Sequence, residues 1–507
     1  MTARRRQALR LLTVLLLSPF AAEAGYRALL FVTARSAARP GPVFDVYAVG
    51  ESTMMGGHTR PKISIPALVA AMFENRIAGR RIVVHMLARA GQPLYAQMIA
   101  LGEATAFRDR HDPGVMLLYS GHNESGLRGV DDHPVDGSPG WYRGLERWSL
   151  LARYVRVSLI VRASPIFRGR QDLGTYEHEL RTTIETASTA GLVPVLATAA
   201  GNLSGIEPSF GGNDAERARA VVEEALREQQ TAGCAATVAR CGKRAPEDAD
   251  VAALLCYEAA KCVQAGSDVA QARRLYWEAV DLDVRKNWGR ATPAQNSLVR
   301  RLAAEYGIPL VDAVALLEAR SPSGILGNEL FVDGQHPSLE GQIVLADAFA
   351  DAVAGAFDVP VARRFATPRD AMAAFGFTTD DESASRVLSA SWLMGMAALH
   401  PWPEDALALA EAHARAASVL SPDYFTAWFD LAIVQAGRRG GLLRDAGALA
   451  DLGRWNVFFS AAACVPAADI DEAQQRLGLA GADPDVLERI RSLRARSCRP
   501  EGALGRY

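Results

Sequence analysis

The sequence predicts an α/β protein: a three-layer α/β/α parallel sheet, with an inserted helical segment and an all-helical C-terminal domain. Three observations carry this. Short apolar runs that stop at glycine or small polar residues alternate with stretches of helical spacing, the pattern of a parallel sheet covered on both faces. Strand signals vanish between about Gly211 and Leu282. They vanish again after about Val361.

Phe44 to Val49 is the first apolar run and ends at Gly50, so it reads as a buried strand stopped by a turn. Ile65 to Phe73 has helical spacing. Arg81 to Leu87 is a second strand, before Ala90-Gly91, and Tyr95 to Arg108 is helical. Gly114 to Tyr119 is a third strand, ending at Ser120-Gly121. Tyr176 to Ala190 is helical, Leu192 to Thr198 a fourth strand, Ile308 to Val311 a fifth, and Leu339 to Ala354 a closing helix.

The division expected is 1–38 for an N-terminal signal and linker, 39–210 and 285–360 for the two parts of the sheet domain, 211–284 for the insertion and 361–507 for the C-terminal helices. In the insertion, Ala259, Gly266, Ala272, Tyr276 and Ala279 follow a pattern close to the tetratricopeptide (TPR) signature. Ala410, Ala414, Ala417, Pro422, Trp428, Leu431 and Ala432 keep its phase further on. Such units cannot bury their apolar faces alone and must stack on neighbours or on the sheet domain. Generic amphipathic helix packing explains the same residues.

Of 507 residues, 49% are hydrophobic and 22% charged, which suits sizeable cores, and the formal net charge of −2 gives no basic excess for nucleic acid. Arg4, Arg5 and Arg6 precede an apolar run from Leu11 to Leu17, a charged n-region before an h-region. Two readings follow, beside the plain one of an ordinary buried helix. Ala22-Glu23-Ala24 fits a signal-peptidase site; alternatively Leu11 to Ala34 is long enough to span a bilayer as an uncleaved anchor, with Glu23 and Arg27 pairing four residues apart. Either exports the rest of the chain, the anchor placing it on the periplasmic side of an inner membrane.

Six cysteines agree with export. Cys234, Cys241, Cys256 and Cys262 cluster, while Cys464 and Cys498 lie near the C-terminus. The spacing within the cluster is wrong for a zinc knuckle. On two antiparallel helices, nested pairing of Cys234 with Cys262 and Cys241 with Cys256 is natural; sequential pairing and free buried thiols are the alternatives.

Residues able to carry chemistry fall just past strand ends, where α/β folds place their sites. Gly50-Glu51-Ser52 follows the first strand, and a serine at such a turn exposes its hydroxyl at the sheet edge. It also suits a helix cap. Gly91 follows the second strand and permits close backbone approach to an oxyanion. Asn123, in Ser120-Gly121-His122-Asn123-Glu124, follows the third and brings an amide donor. Late in the chain, Asp333-Gly334-Gln335-His336 offers a general base and a carboxylate to orient it, with Ser338 able to cap the closing helix.

The order Ser, Gly, Asn and D-x-x-H resembles the SGNH hydrolase superfamily, also called the GDSL family. Ser52, Gly91, Asn123, and Asp333 with His336 match its four blocks in order, over about residues 43–210 and 285–357. Gly50-Glu51-Ser52, Tyr119 to Glu124, and Asp333 to Gly341 further resemble a bacterial branch in which a membrane segment precedes the hydrolase and TPR-like helices are inserted before the last block. Block one here has Glu51 where the superfamily usually has Asp, and block three has Glu124 where Asp is common. Neither is nucleophile, base or oxyanion donor, so activity is expected to survive.

The resemblance implies a flavodoxin-like sheet, no cofactor and no metal. It implies Ser52, Asp333 and His336 as catalytic residues, with Ser52, Gly91 and Asn123 forming an oxyanion hole. The expected function is an extracytoplasmic serine esterase or deacylase acting on an acyl ester, acetyl among the candidates, of a glycan or lipid. An O-acyltransferase modifying an envelope or secreted polysaccharide is a second reading. A non-enzymatic assembly protein that binds a partner through its helical repeats is a third.

Overall fold

The computed structural model describes residues 20–31, 41–59, 62–127, 149–155, 167–170, 173–210, 214–241, 249–283, 289–397, 400–440 and 481–493. Helix α1 covers residues 20–31. Then come β1 (Val43–Gly50), α2 (Ile65–Met72), β2 (Arg76–Ile77), β3 (Arg80–Met86), α3 (Leu94–Thr105), β4 (Gly114–Tyr119), β5 (Ser125–Leu127), α4 (Leu150–Val155), β6 (Phe167–Arg170), α5 (Leu173–Thr189) and β7 (Val193–Ala197). The insertion is α6 (Ala215–Ala232), α7 (Cys234–Cys241), α8 (Ala249–Ala265) and α9 (Val269–Leu282). Helix α10 (Pro293–Tyr306), β8 (Leu310–Val311), α11 (Ala313–Arg320) and α12 (Leu339–Phe357) complete the α/β part. Helices α13 (Pro368–Phe375), α14 (Thr379–Ala397), α15 (Glu404–Leu420), α16 (Phe425–Gly440) and α17 (Pro484–Leu493) follow.

The main sheet runs β2-β3-β1-β4-β7-β8. All neighbours are parallel except β2, which turns back on β3. The five parallel strands therefore have the flavodoxin-like doubly wound order, whose topological switch point lies between β1 and β4. Both faces of these strands are buried. Phe44, Val46, Ala48, Val115 and Leu117 join one core with residues of α2 and α12; Tyr47, Val49, Met116 and Leu118 join the other with α3, α5 and α10. This is why the strands read as unbroken apolar runs.

Among the elements the sequence misses, three have a local cause. The two-residue β2 is made by a turn in which Glu74, Asn75 and Ala78 take positive φ, and it is too short to show periodicity. Helix α10 begins at a capping box of Thr292 and Gln295 with Pro293 at its first position, a local start signal that the apolar pattern alone does not reveal. Helix α11 is capped by Asp312.

Helix α1 carries the expected pair, Arg27 Nε lying 2.7 Å from Glu23 Oε1. Glu23 has a second use. It accepts from the Ser149 hydroxyl (2.8 Å) and from the N–H groups of Leu150 (3.1 Å) and Leu151 (2.9 Å), so it caps α4, and Tyr26 donates to Glu103 of α3. Among the described residues no helix is long and apolar enough to cross a membrane, and Leu11 to Leu17 lies outside them.

In the insertion the structure bonds Cys234 to Cys262 and Cys241 to Cys256, with Cα separations of 5.6 and 4.6 Å. Two disulfides are consistent with an oxidising compartment. Cys464 and Cys498 fall outside the described residues. Ala259, Ala272, Tyr276 and Ala279 are buried where α8 meets α9, in a core continuous with that of the sheet.

Helices α14 to α17 share a second core, which also takes in Ile206, and polar groups add to their attachment. Glu207 accepts from the N–H groups of Asp405 and Ala406 at the start of α15, and Asp405 in turn meets Lys261 (2.6 Å) and the Tyr257 hydroxyl (3.0 Å) of α8.

Candidate active site

Strand β1 runs out at Gly50, and the turn after it presents Ser52. A Cβ at Gly50 would sit 2.5 Å from the Tyr119 carbonyl oxygen and 2.7 Å from Met54 Cβ, so only glycine lets β1 and β4 close at this level. Far along the chain, the loop from Phe331 to Pro337 is pinched by an isolated bridge between those two residues and ends where Ser338 caps α12. The sheet places this loop over the turn of β1.

The contact is direct. His336 Nε2 lies 2.7 Å from Ser52 Oγ, and His336 Nδ1 lies 2.6 Å from Asp333 Oδ2. Asp333 Oδ1 accepts from the backbone N–H groups of Gln335 and His336, both at 2.8 Å. With Nδ1–H donating to the carboxylate, Nε2 presents its lone pair to the serine hydroxyl, which is the tautomer a general base needs. Burial opposes ionisation of Asp333, but the His336 ring beside it wins and holds the carboxyl well below its ordinary range. All three residues are buried.

Gly91 and Asn123 arrive from the strands on either side of β1. Gly91 is exposed, at φ +70°, in the turn after β3. That turn is tied to β1 by Arg89 N–H donating to Gly50 O, at 3.4 Å. Asn123 is buried at the end of β4. The topology thus brings all five sequence-nominated residues to one edge of the sheet, at its switch point.

Glu51 does more than the sequence indicates. Its Oε1 accepts from the backbone N–H groups of Gly121 (3.0 Å), His122 (3.1 Å) and Asn123 (3.0 Å) and lies 3.1 Å from Ser120 Oγ. One buried carboxylate therefore fixes the whole backbone turn that carries Asn123. Glu124, also buried, accepts from Leu94 N–H at the start of α3 and lies 2.8 Å from the same Ser120 hydroxyl. That hydroxyl has one proton for two carboxyls. A protonated Glu124 donating to Ser120, which donates to Glu51, satisfies all three groups.

The charges agree with this. Burial raises Glu124 well above the usual carboxylate range, with Glu51 and Glu179 pushing the same way. Burial also pushes Glu51 up to about 7 against the pull of the Gly121 and Asn123 N–H groups. Between the ordinary value of 4.5 and about 7 the folded chain thus holds protons the unfolded chain has released, so stability falls as pH rises through that window. Glu124→Gln, which keeps a neutral donor without an ionisable group, is expected to flatten this decline. Urea midpoints of the two proteins across the window measure it, and parallel curves would contradict the assignment.

Two glycines precede a residue the sequence gives no reason to select. Gly57 has φ +54°, and a Cβ there would lie 3.0 Å from His336 Cδ2. Gly57→Ala adds left-handed strain and pushes the imidazole off Ser52. The expected loss in kcat is about 10–100-fold, with KM little changed, because a misplacement well under 1 Å already matters at this distance. Beside it, His58 is buried with its ring centroid 4.9 Å from that of His336. Its Nδ1 lies 2.6 Å from Ser389 Oγ in α14 and its Nε2 3.8 Å from Asp333 Oδ2. His58, Asp333 and His336 bring potential ligand atoms within 4.8 Å of one another, but a metal there would have to break the His336–Asp333 hydrogen bond.

No family model matches the chain, and no curated protein matches it. Among solved structures it is similar to a GDSL-like lipase from Bacteroides thetaiotaomicron, at 11% identity over 65% of this chain and 95% of that one, with a TM-score of 0.27. It is also similar to an alpha/beta hydrolase enzyme from the metagenome of Lake Arreo in Spain, at 15% identity over 62% of this chain and 95% of that one, with a TM-score of 0.29. Likeness this distant leaves the chemistry of the chain to its own residues.

Proposed function

We propose that the chain is a serine ester hydrolase of the SGNH type, with Ser52 as nucleophile, His336 as base and Asp333 as the orienting carboxylate. The hydrogen-bonded line Ser52–His336–Asp333, at 2.7 and 2.6 Å, carries this reading. His336 takes the Ser52 proton as Oγ attacks an acyl carbonyl. The N–H groups of Ser52 and Gly91 and the side chain of Asn123 receive the oxyanion, each donor contributing a factor of about 10²–10³. Collapse of the tetrahedral intermediate returns the proton from His336 to the departing alcohol and leaves an acyl-serine. Water, deprotonated by His336, then releases the acid.

The two disulfides and the basic, apolar N-terminus support an exported enzyme. Acyl esters of glycans or lipids are the substrates such a setting offers. A non-enzymatic platform would not need a complete, buried triad.

The test is reaction with a fluorophosphonate probe. Labelling of the wild type should map to the peptide containing Ser52 and parallel the hydrolysis of p-nitrophenyl acetate. A folded wild type that neither labels nor turns over short acyl esters would overturn the proposal.

A further inference from the structure

The triad as described uses one face of Asp333, yet a second histidine stands against the same carboxylate oxygen. His58 Nε2 is 3.8 Å from Asp333 Oδ2, the atom that also receives His336 Nδ1–H at 2.6 Å. On its far side, His58 Nδ1 meets Ser389 Oγ at 2.6 Å. Ser389 Oγ also lies 3.0 Å from the carbonyl oxygen of Ser385, one turn back in α14, to which its single proton is donated. The hydroxyl oxygen can then only accept from His58, which requires a proton on Nδ1. Neutral imidazole would leave its other nitrogen as a lone pair facing a carboxylate.

We propose that His58 is a positioning residue of the triad: it is held as an imidazolium between Ser389 and Asp333, and its charge keeps His336 deprotonated, and so competent as a base, further into the acid range. This deepens the esterase reading and rests on it. The cation acts on His336 in two ways of the same sign. It repels a second positive charge on the tilted ring 4.9 Å away, and it shares the carboxylate that would otherwise stabilise that charge alone.

Of the described residues that face His58, Asp333 and His336 of the catalytic loop are titratable, while α14 presents the neutral Ser389. His413 of α15 reaches the same loop, donating to the Val332 carbonyl oxygen at 3.0 Å, and burial lowers it to about 4, so it adds no charge near neutrality. The C-terminal helices thus reach the base of the site through His58.

Removing the charge moves the acid limb of the kcat/KM profile upward. His58→Gln, which keeps a hydrogen-bonding side chain of similar reach, should shift that limb by about 0.5–1 pH unit, and Ser389→Ala should shift it less in the same direction. If His58 serves packing alone, His58→Gln restores what His58→Ala loses and the limb stays in place, which would overturn the proposal. Nitrogen-15 NMR of the imidazoles reads the charge without turnover. Both His58 nitrogens should be protonated near pH 7, and a lone pair at Nε2 in the folded wild type would sink the idea. A wild type inert toward esters tells against the hydrolase reading only, because the NMR result stands apart from it.

Discussion

Ser52→Ala and His336→Ala should each lower kcat on p-nitrophenyl acetate by a factor on the order of 10⁶, and the double variant should be no slower than either alone. The reason is geometric. His336 Nε2 has the Ser52 hydroxyl at 2.7 Å, so removing either atom leaves the other with nothing to do, and effects of groups that act as one unit do not add. Asp333→Asn should cost less, about 10⁴-fold, because an amide nitrogen facing Nδ1 favours the wrong tautomer while leaving the ring in place. Steady-state rates of purified proteins with unchanged circular dichroism decide it. Activity in Ser52→Ala above the remnant supplied by the oxyanion donors would remove Ser52 from the nucleophile's role.

Glu51→Ala is expected to produce the second largest change, in stability as well as rate. Three backbone N–H groups in the interior would lose their acceptor at once, and each buried donor left unmade costs about 1–3 kcal/mol. A loss of roughly 3–5 kcal/mol in urea denaturation follows, somewhat below the sum because the turn can relax. The turn also carries Asn123, so kcat should fall by at least the factor of about 10² that one misplaced oxyanion donor costs. Glu51→Gln retains one acceptor oxygen and should fall between. If Glu51→Ala unfolds at the wild-type urea concentration, the clamp is not what holds residues 121–123.

The strands of the sheet and the Asp333–His336 pair were legible because their signals are local, whereas Ser52 stood out only through the order of the four blocks. Each strand of the core is an apolar run ended by a turn, and the D-x-x-H spacing puts acid and base in one loop. What the sequence hides is anything whose partner lies elsewhere. Glu51 reads as a conservative replacement within a motif, and only the fold shows its carboxylate gathering three N–H groups some seventy residues away. His58 belongs to no motif, and its partners Asp333 and Ser389 come from two later parts of the chain. Glu23 and Arg27 do pair at helical spacing, but spacing could not say that Glu23 also caps α4.

The separation between Ser52 and His336 along the chain bears on how the protein is made. Ser52 and His336 are 284 residues apart, and His58 and Ser389 are 331 apart, with the disulfide-bonded helices between the members of each pair. Closing so long a loop costs little more than closing a short one, since the entropy grows only with the logarithm of length. The delay, however, is set by synthesis. A nascent chain acquires its serine early and stays chemically silent until the last quarter or so of the α/β part has emerged and docked. A half-finished chain therefore holds Ser52 without the Asp333–His336 pair beside it.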